Sequence, residues 1–291
     1  MSREESRFEA IFKNVKEIPA LPDVAVRVMR MTRDADVTAN QLTGVISQDP
    51  GLTGNILRLC NSAYYGLPRV ISSLSQAIMY LGFHTVRNLV LTCTICDLLG
   101  SDRTIYGHGA GGLWTNSFAC AVASQQIAYH IRPSLHDTAF TAGLLRDIGK
   151  VVIHRQIKDT ESTLIELMTR ANLSLLEAEQ QTLGYTHPEV GAALADRWNF
   201  PHELVDAIQN HHYPSVTPEG SLVTVIVHAA DVMVIERGYG VELRQLQYPL
   251  DRTATEQKQI TREILDRVAA ELDQHIASIG ELLIPRGPAN P

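Results

Sequence analysis

No stretch of about 18 uninterrupted apolar residues occurs in this chain, so no helix is expected to span a membrane. The best candidate, LVTVIVHAADVMVI at 222–235, is shorter than that and carries His228 and Asp231. The start, MSREESRFEA, is charged and lacks the apolar centre of a secretory signal. A basic surplus is missing as well. The formal net charge is −7 and no Lys/Arg run stands out, so nucleic-acid binding is not expected. Aromatic residues make up only 6%, and neither a β-hairpin signal nor an internal repeat is evident. Cysteine is scarce too: of four, only Cys93 and Cys96 form a CxxC, and no second CxxC follows to complete a zinc site. Their segment, LVLTCTIC, continues a helical pattern with Val86, Leu89 and Val90, so they read as small core thiols. A cytoplasmic location fits that usage.

What the chain does have is helix after helix. With 291 residues, 45% of them hydrophobic, it can bury a large core as one domain or two lobes. Thr38 and Gln41 stand at capping-box spacing ahead of Leu42, Val45 and Ile46. Asp49 and Pro50 are placed to cap and open the next helix. SSLSQAIMYLG follows, with Gly82 placed to stop it, and HTVRNLVLTCTICDLLG runs to Gly100. Residues 101–113, SDRTIYGHGAGGL, match no phosphate-binding spacing and read as a flexible connection. It separates an N-terminal helical lobe, 15–100, from a second helical lobe, 114–245. Thr186 and Glu189 repeat the capping-box spacing there. Residues 250–291 are expected to form one long amphipathic helix, on Ile260, Ile264, Val268, Leu272 and Ile276, with a disordered tail. The expected fold is all-α, a two-lobed multi-helix bundle.

Charged and ligand-type side chains lodge in the apolar helices of the second lobe. They are Asn116, Arg146, Asp147, His187, His211, His212, His228 and Asp231. Imidazole and carboxylate are the ligands of Zn, Fe and Mn sites, while a single histidine in an apolar helix is usually a hydrogen-bonded core residue. Spacing alone leaves both readings open.

The order of these residues resembles the HD superfamily of metal-dependent phosphohydrolases. TAGLLRDIGK (141–150) looks like its LLHDIGK segment, THPEVG (186–191) like its later His segment, QNHHYP (209–214) like its paired histidines, and VHAADV (227–232) like its terminal Asp segment. Within that superfamily, residues 18–66 and ISSLSQAIMYLG (71–82) resemble the HDOD signature, so residues 15–245 are identified as an HDOD-like domain with an HD-like helical core in the second lobe. The resemblance implies a bacterial, cytoplasmic signal-transduction output module acting on protein partners.

The departures matter most. Carried over by position, the first histidine of the metal pattern falls on Asn116 and the histidine of the His-Asp pair on Arg146. A guanidinium has no lone pair and stays charged, so Arg146 cannot ligate and would repel a divalent ion. Asp147, His187, His211, His212 and Asp231 remain as a vestigial ligand set. No catalytic residue and no cofactor are expected. The alternative is a phosphohydrolase keeping a single divalent ion (Fe, Mn, Zn or Ni) on those five residues. A nucleotide bound without cleavage is a third reading, and the oligomeric state stays open. Arg146 is expected to bridge Asp147 or Asp231 in the ion's place, or else to snorkel to the surface. Helical neighbours point about 100° apart, so Arg146 and Asp147 are not expected to pair with each other. His228, three residues before Asp231, could pair with it behind the site. Asn61 and Ser62 either meet a ligand or bond to backbone, and the hydroxyls of Tyr64 and Tyr65 are expected at the surface. The chain is read as either a stand-alone regulator or part of a longer protein.

Overall fold

The computed structural model describes residues 20–34, 36–99, 108, 111–154, 161–216, 221–241 and 246–280. Most of the glycine-rich 101–113 segment, residues 15–19 and the terminal PRGPANP lie outside them. Among the described residues the structure is all-α, as the patterns predict. In the expected first lobe α1 (Asp23–Met31), α2 (Ala39–Ile46) and α3 (Pro50–Cys60) pack around α4 (Leu74–Leu99). Both expected helix starts form: Thr38 and Gln41 cap each other reciprocally, and Asp49 accepts from the Leu52 amide at 2.9 Å. Gly82 departs from helical geometry at φ 78° and, as expected, stops the helix that precedes it, so that α4 is two helical pieces meeting at a kink.

The second lobe holds α5 (Gly112–Ile131), α6 (His136–Leu145), α7 (Ile148–His154), α8 (Glu161–Arg170), α9 (Leu175–Leu183), α10 (His187–Arg197), α11 (His202–Asn210) and α12 (Leu222–Glu236). One continuous apolar core, from Leu21 to Leu272, takes in residues of both expected lobes. Across the boundary, Asn88 of α4 donates to the Asp137 side chain at 2.8 Å and accepts from Thr141 at 3.0 Å. Cys93 and Cys96 lie buried in α4 without a disulfide, and burial pushes the Cys96 thiol up to about 12. Such thiols are packing groups rather than a redox pair.

The expected single C-terminal helix is two. Residues 258–261 break it, with Gln259 at φ 60°, a left-handed position that a regular helix does not accept. The pieces are α13 (Arg252–Gln257) and α14 (Arg262–Gly280). Ile260 turns inward at the break, and α14 lies on α5 through Val268 and Leu272. Among the described residues no helix is long and apolar enough to cross a membrane.

Candidate functional site: an arginine-centred charge cluster

The site lies where α5, the α6–α7 junction, α10, α11 and α12 meet. Helix α6 ends at Leu145 and α7 begins at Ile148, so Arg146 and Asp147 occupy the corner between two helices. That corner corrects the sequence expectation. The two neighbours do pair, with Arg146 Nη2 3.2 Å from Asp147 Oδ2, because they are not successive positions of one helix. Gly149 sets the depth of the corner. A Cβ there would come within 2.0 Å of the His187 carbonyl oxygen, so only glycine lets α7 approach α10 this closely.

Arg146 is fully buried and does not snorkel. Its Nη2 lies 2.5 Å from Asp231 Oδ1 and also donates to the side-chain oxygen of Asn116, while Nη1 donates to the Gly143 carbonyl at 3.0 Å. Asn116 in turn donates to the Tyr239 carbonyl at 3.0 Å. Burial works against the guanidinium's charge, but Asp231 foremost and Asp147 after it outweigh burial and hold it charged. Asp147 receives a second cation, Lys150 Nζ, at 3.0 Å from Oδ1. Despite burial, Lys150 first and Arg146 next hold Asp147 well below the usual carboxylate range; Arg146 also lowers Asp231.

His187 opens α10, where the Thr186 amide donates to Glu189 at 2.9 Å. Its Nδ1 lies 2.8 Å from Glu179 and its Nε2 3.2 Å from Asp147 Oδ1, which places the ring between two carboxylates. Burial opposes protonation, yet Glu179 and Asp147 raise His187 above the ordinary histidine value. His212 Nε2 stands 3.1 Å from His187 Nε2, and His211 Nε2 lies 3.8 Å from Asp147 Oδ1 without a hydrogen bond. Burial lowers both of these rings, His211 to about 3, so they are neutral.

His228 and Asp231 do not pair, contrary to expectation. His228 Nδ1 meets the His211 carbonyl at 2.7 Å and its Nε2 accepts from the Asp251 amide at 2.8 Å, while Asp231 Oδ2 accepts from Tyr248 at 2.6 Å. Both Asp251 and Tyr248 belong to the segment before α13. In the first lobe, Asn61 bonds to the backbone of Leu57 and Ile71. The Tyr64 hydroxyl reaches Gln125 at 2.5 Å rather than the surface.

All eight residues singled out in the second lobe therefore converge on one place. Four partners escaped sequence reasoning. Lys150 lay in plain view, three residues after Asp147. Glu179 is one of two acidic residues in α9, and nothing in its spacing marks it as buried. Tyr248 and His108 sit in segments without periodicity; His108 is buried, with Nδ1 2.7 Å from the Gly240 carbonyl.

Charge balance decides whether the pocket fits a metal centre. Three cationic groups, Arg146, Lys150 and His187, face three carboxylates, Asp147, Asp231 and Glu179, within hydrogen-bonding or ion-pair distance. The carboxylates that would neutralise metal ions are already neutralised by side chains. A two-metal centre of the HD kind does not fit these residues. What remains ligand-like is the trio His187, His211 and His212, whose nitrogens lie within 4.8 Å of one another.

Known proteins resemble this chain over most of its length. The crystal structure of an HDOD domain protein of unknown function from Geobacter sulfurreducens is 27% identical, with a TM-score of 0.79 over 97% of this chain and 98% of that one. A candidate phosphohydrolase from Shewanella amazonensis SB2B shares the fold at 24% identity, with a TM-score of 0.73 over 94% of this chain and 98% of its own. An uncharacterized protein of Treponema pallidum (strain Nichols) is 26% identical over 215 residues, which are 72% of this chain and 40% of that protein, so the chain spans well under half of this relative. The HDOD domain matches residues 18–214, and the chain belongs to the HDOD family.

Proposed function

We propose that this HDOD protein is a non-catalytic output or adaptor module of bacterial signal transduction, acting in the cytoplasm through protein–protein contacts. One observation carries the reading: the Arg146 guanidinium, fully buried, stands among Asp231, Asp147 and Asn116 where a metal centre would need a nitrogen ligand. A fixed side-chain cation holds the helices together as an ion would, but it offers no open coordination position and activates no water. The core of the site is also closed, since Arg146, Asp147, His187, His211 and Asp231 are all buried.

A second reading rests on the histidine trio. His187, His211 and His212 could hold a single divalent ion, which when bound would supply an activated water for attack on a phosphoester. Two features weigh against it: His187 is held toward its protonated form, and Arg146 places a positive charge beside Asp147. The separating experiment is elemental analysis of protein purified without chelators, together with hydrolysis of bis(p-nitrophenyl) phosphate and of cyclic and linear nucleotides. The adaptor reading expects substoichiometric metal and no turnover. Stoichiometric metal with turnover abolished by Asp147→Ala would install the second reading instead.

A further inference from the structure

The first lobe carries a recess that the charge cluster does not use. Residues 61–71, NSAYYGLPRVI, close α3 and return to α4 as a loop held at both ends. The Asn61 side chain accepts from the Ile71 amide at 2.7 Å and donates to the carbonyls of Ile71 and Leu57, each at 2.8 Å. Tyr64 anchors the loop's middle on Gln125 of α5 and packs edge-on against His275 of α14. A loop pinned this way is preorganised, so an occupant does not have to order it.

Beneath it lies a cavity of about 190 Å³, lined among others by Ser62, Leu67, Arg69 and Val70. Three features of this recess are unsatisfied. The Ser62 hydroxyl is buried and has no hydrogen-bond partner among the described residues. The Arg69 guanidinium lies 5.5 Å above the Tyr80 ring, yet among the described residues no carboxylate pairs with it. Val70 is 79% exposed, and Met79, next to Tyr80 on α4, is 73% exposed.

Size narrows the occupant. Pockets for drug-sized ligands run to about 300–1,000 Å³, so this one takes a side chain rather than a nucleotide. Charge gives its sign: an unpaired guanidinium stacked on a ring, beside a buried hydroxyl, matches a carboxylate. The exposed valine at the rim calls for an apolar neighbour on the same occupant. We propose that this recess is the docking site for a partner-protein segment that inserts an Asp or Glu carboxylate toward Arg69 and Ser62 and lays an adjacent apolar side chain on Val70. The assignment rests on the adaptor reading and supplies it with a surface.

The test uses the full chain as bait for a random peptide library displayed on phage, followed by calorimetric titration of the enriched peptides. Peptides pairing an acidic residue with an apolar neighbour are expected. Their affinity should fall at least about ten-fold for Arg69→Glu, and similarly when the peptide's acid is changed to its amide. Arg69 is exposed, so the variant should melt like the parent. No acidic–apolar consensus, or equal binding to Arg69→Glu, overturns the docking site. Saturable binding of free acetate without any peptide consensus overturns it in favour of a small metabolite. Metal content measured on the same preparation judges the adaptor reading separately, so either proposal can fail without the other.

Discussion

Removing the Arg146 side chain should cost more stability than almost any other single truncation in this protein. In Arg146→Ala, Asp231 loses its one cationic partner among the described residues, at 2.5 Å, Asp147 keeps Lys150 but loses the 3.2 Å contact, and Asn116 and the Gly143 carbonyl each lose a donor. Breaking a buried ion pair by deleting one partner costs about 3–5 kcal/mol, because the other charge stays buried and uncompensated. The void left by the side chain adds to that. For a chain of this size, with an unfolding entropy of about 2.1 cal/mol/K per residue, the loss corresponds to a fall in Tm of roughly 5–8 °C. Urea unfolding followed by circular dichroism measures it directly. Arg146→Lys should recover only part of the loss, since one ammonium cannot reproduce a planar fork that meets Asp231, Asp147, Asn116 and a backbone carbonyl together. The gap between Arg146→Ala and the parent should narrow in acid, where a proton neutralises the orphaned Asp231. A loss below about 1 kcal/mol would refute the claim that the guanidinium holds this lobe together.

Three further outcomes follow from the same geometry. Tyr248→Phe removes the 2.6 Å hydrogen bond to Asp231 and leaves that carboxylate with Arg146 alone, a cost of about 1–3 kcal/mol by thermal melt; an unchanged melt would mean the segment before α13 does not seal the site. Gly149→Ala drives a methyl into the His187 carbonyl, so it should destabilise by about 3 kcal/mol or more and loosen the Asp147–His187 contact, which histidine resonances in NMR would report. Stability should decline as pH falls below about 6.5. His211 and His108, with folded values near 3 and 4, and His212 and His228, also lowered by burial, take up protons when the chain unfolds. Each contributes up to about 1.4 kcal/mol per pH unit between its unfolded and folded values. His187, raised, works in the opposite sense: its contribution is complete below the unfolded value and is lost as pH rises through the folded one. The four lowered rings outnumber it, so a flat urea midpoint between pH 7 and pH 5 would contradict their burial as neutral groups.

Much of this architecture was legible in residues that act locally. Capping pairs such as Thr38 with Gln41, and the Asp49–Pro50 start, announce their helices because both partners lie within one turn. The ligand-type residues of the second lobe were legible for a different reason: a charge or imidazole in an apolar helix must be paired somewhere, and burial of all of them together is the economical solution. Pairing itself was not legible. His228 lies three residues from Asp231 on one helix, yet Asp231 is taken by Arg146 and Tyr248 from distant segments. Arg146 and Asp147 meet because a helix ends between Leu145 and Ile148, and the unbroken apolar pattern around TAGLLRDIGK conceals that corner. Glu179 stayed hidden because an acidic residue on a short amphipathic helix reads as solvated until tertiary packing buries it. The break at Gln259 escaped notice because the apolar steps of four continue across it, with Ile260 kept in the core by the turn.

The cluster of three cations against three carboxylates gives the central claim its sharpest form. Replacing Arg146 by histidine removes one positive charge, restores a nitrogen ligand beside Asp147, and leaves two cations facing three carboxylates. Isothermal titration of Arg146→His with Mn²⁺, Fe²⁺ or Zn²⁺, set against the parent chain, tests the account most directly. The prediction is about one equivalent of metal bound by the variant and none by the parent. Stoichiometric binding by the parent, or an Arg146→His protein that folds but takes up no metal, would contradict the view that arginine stands in this site in place of an ion.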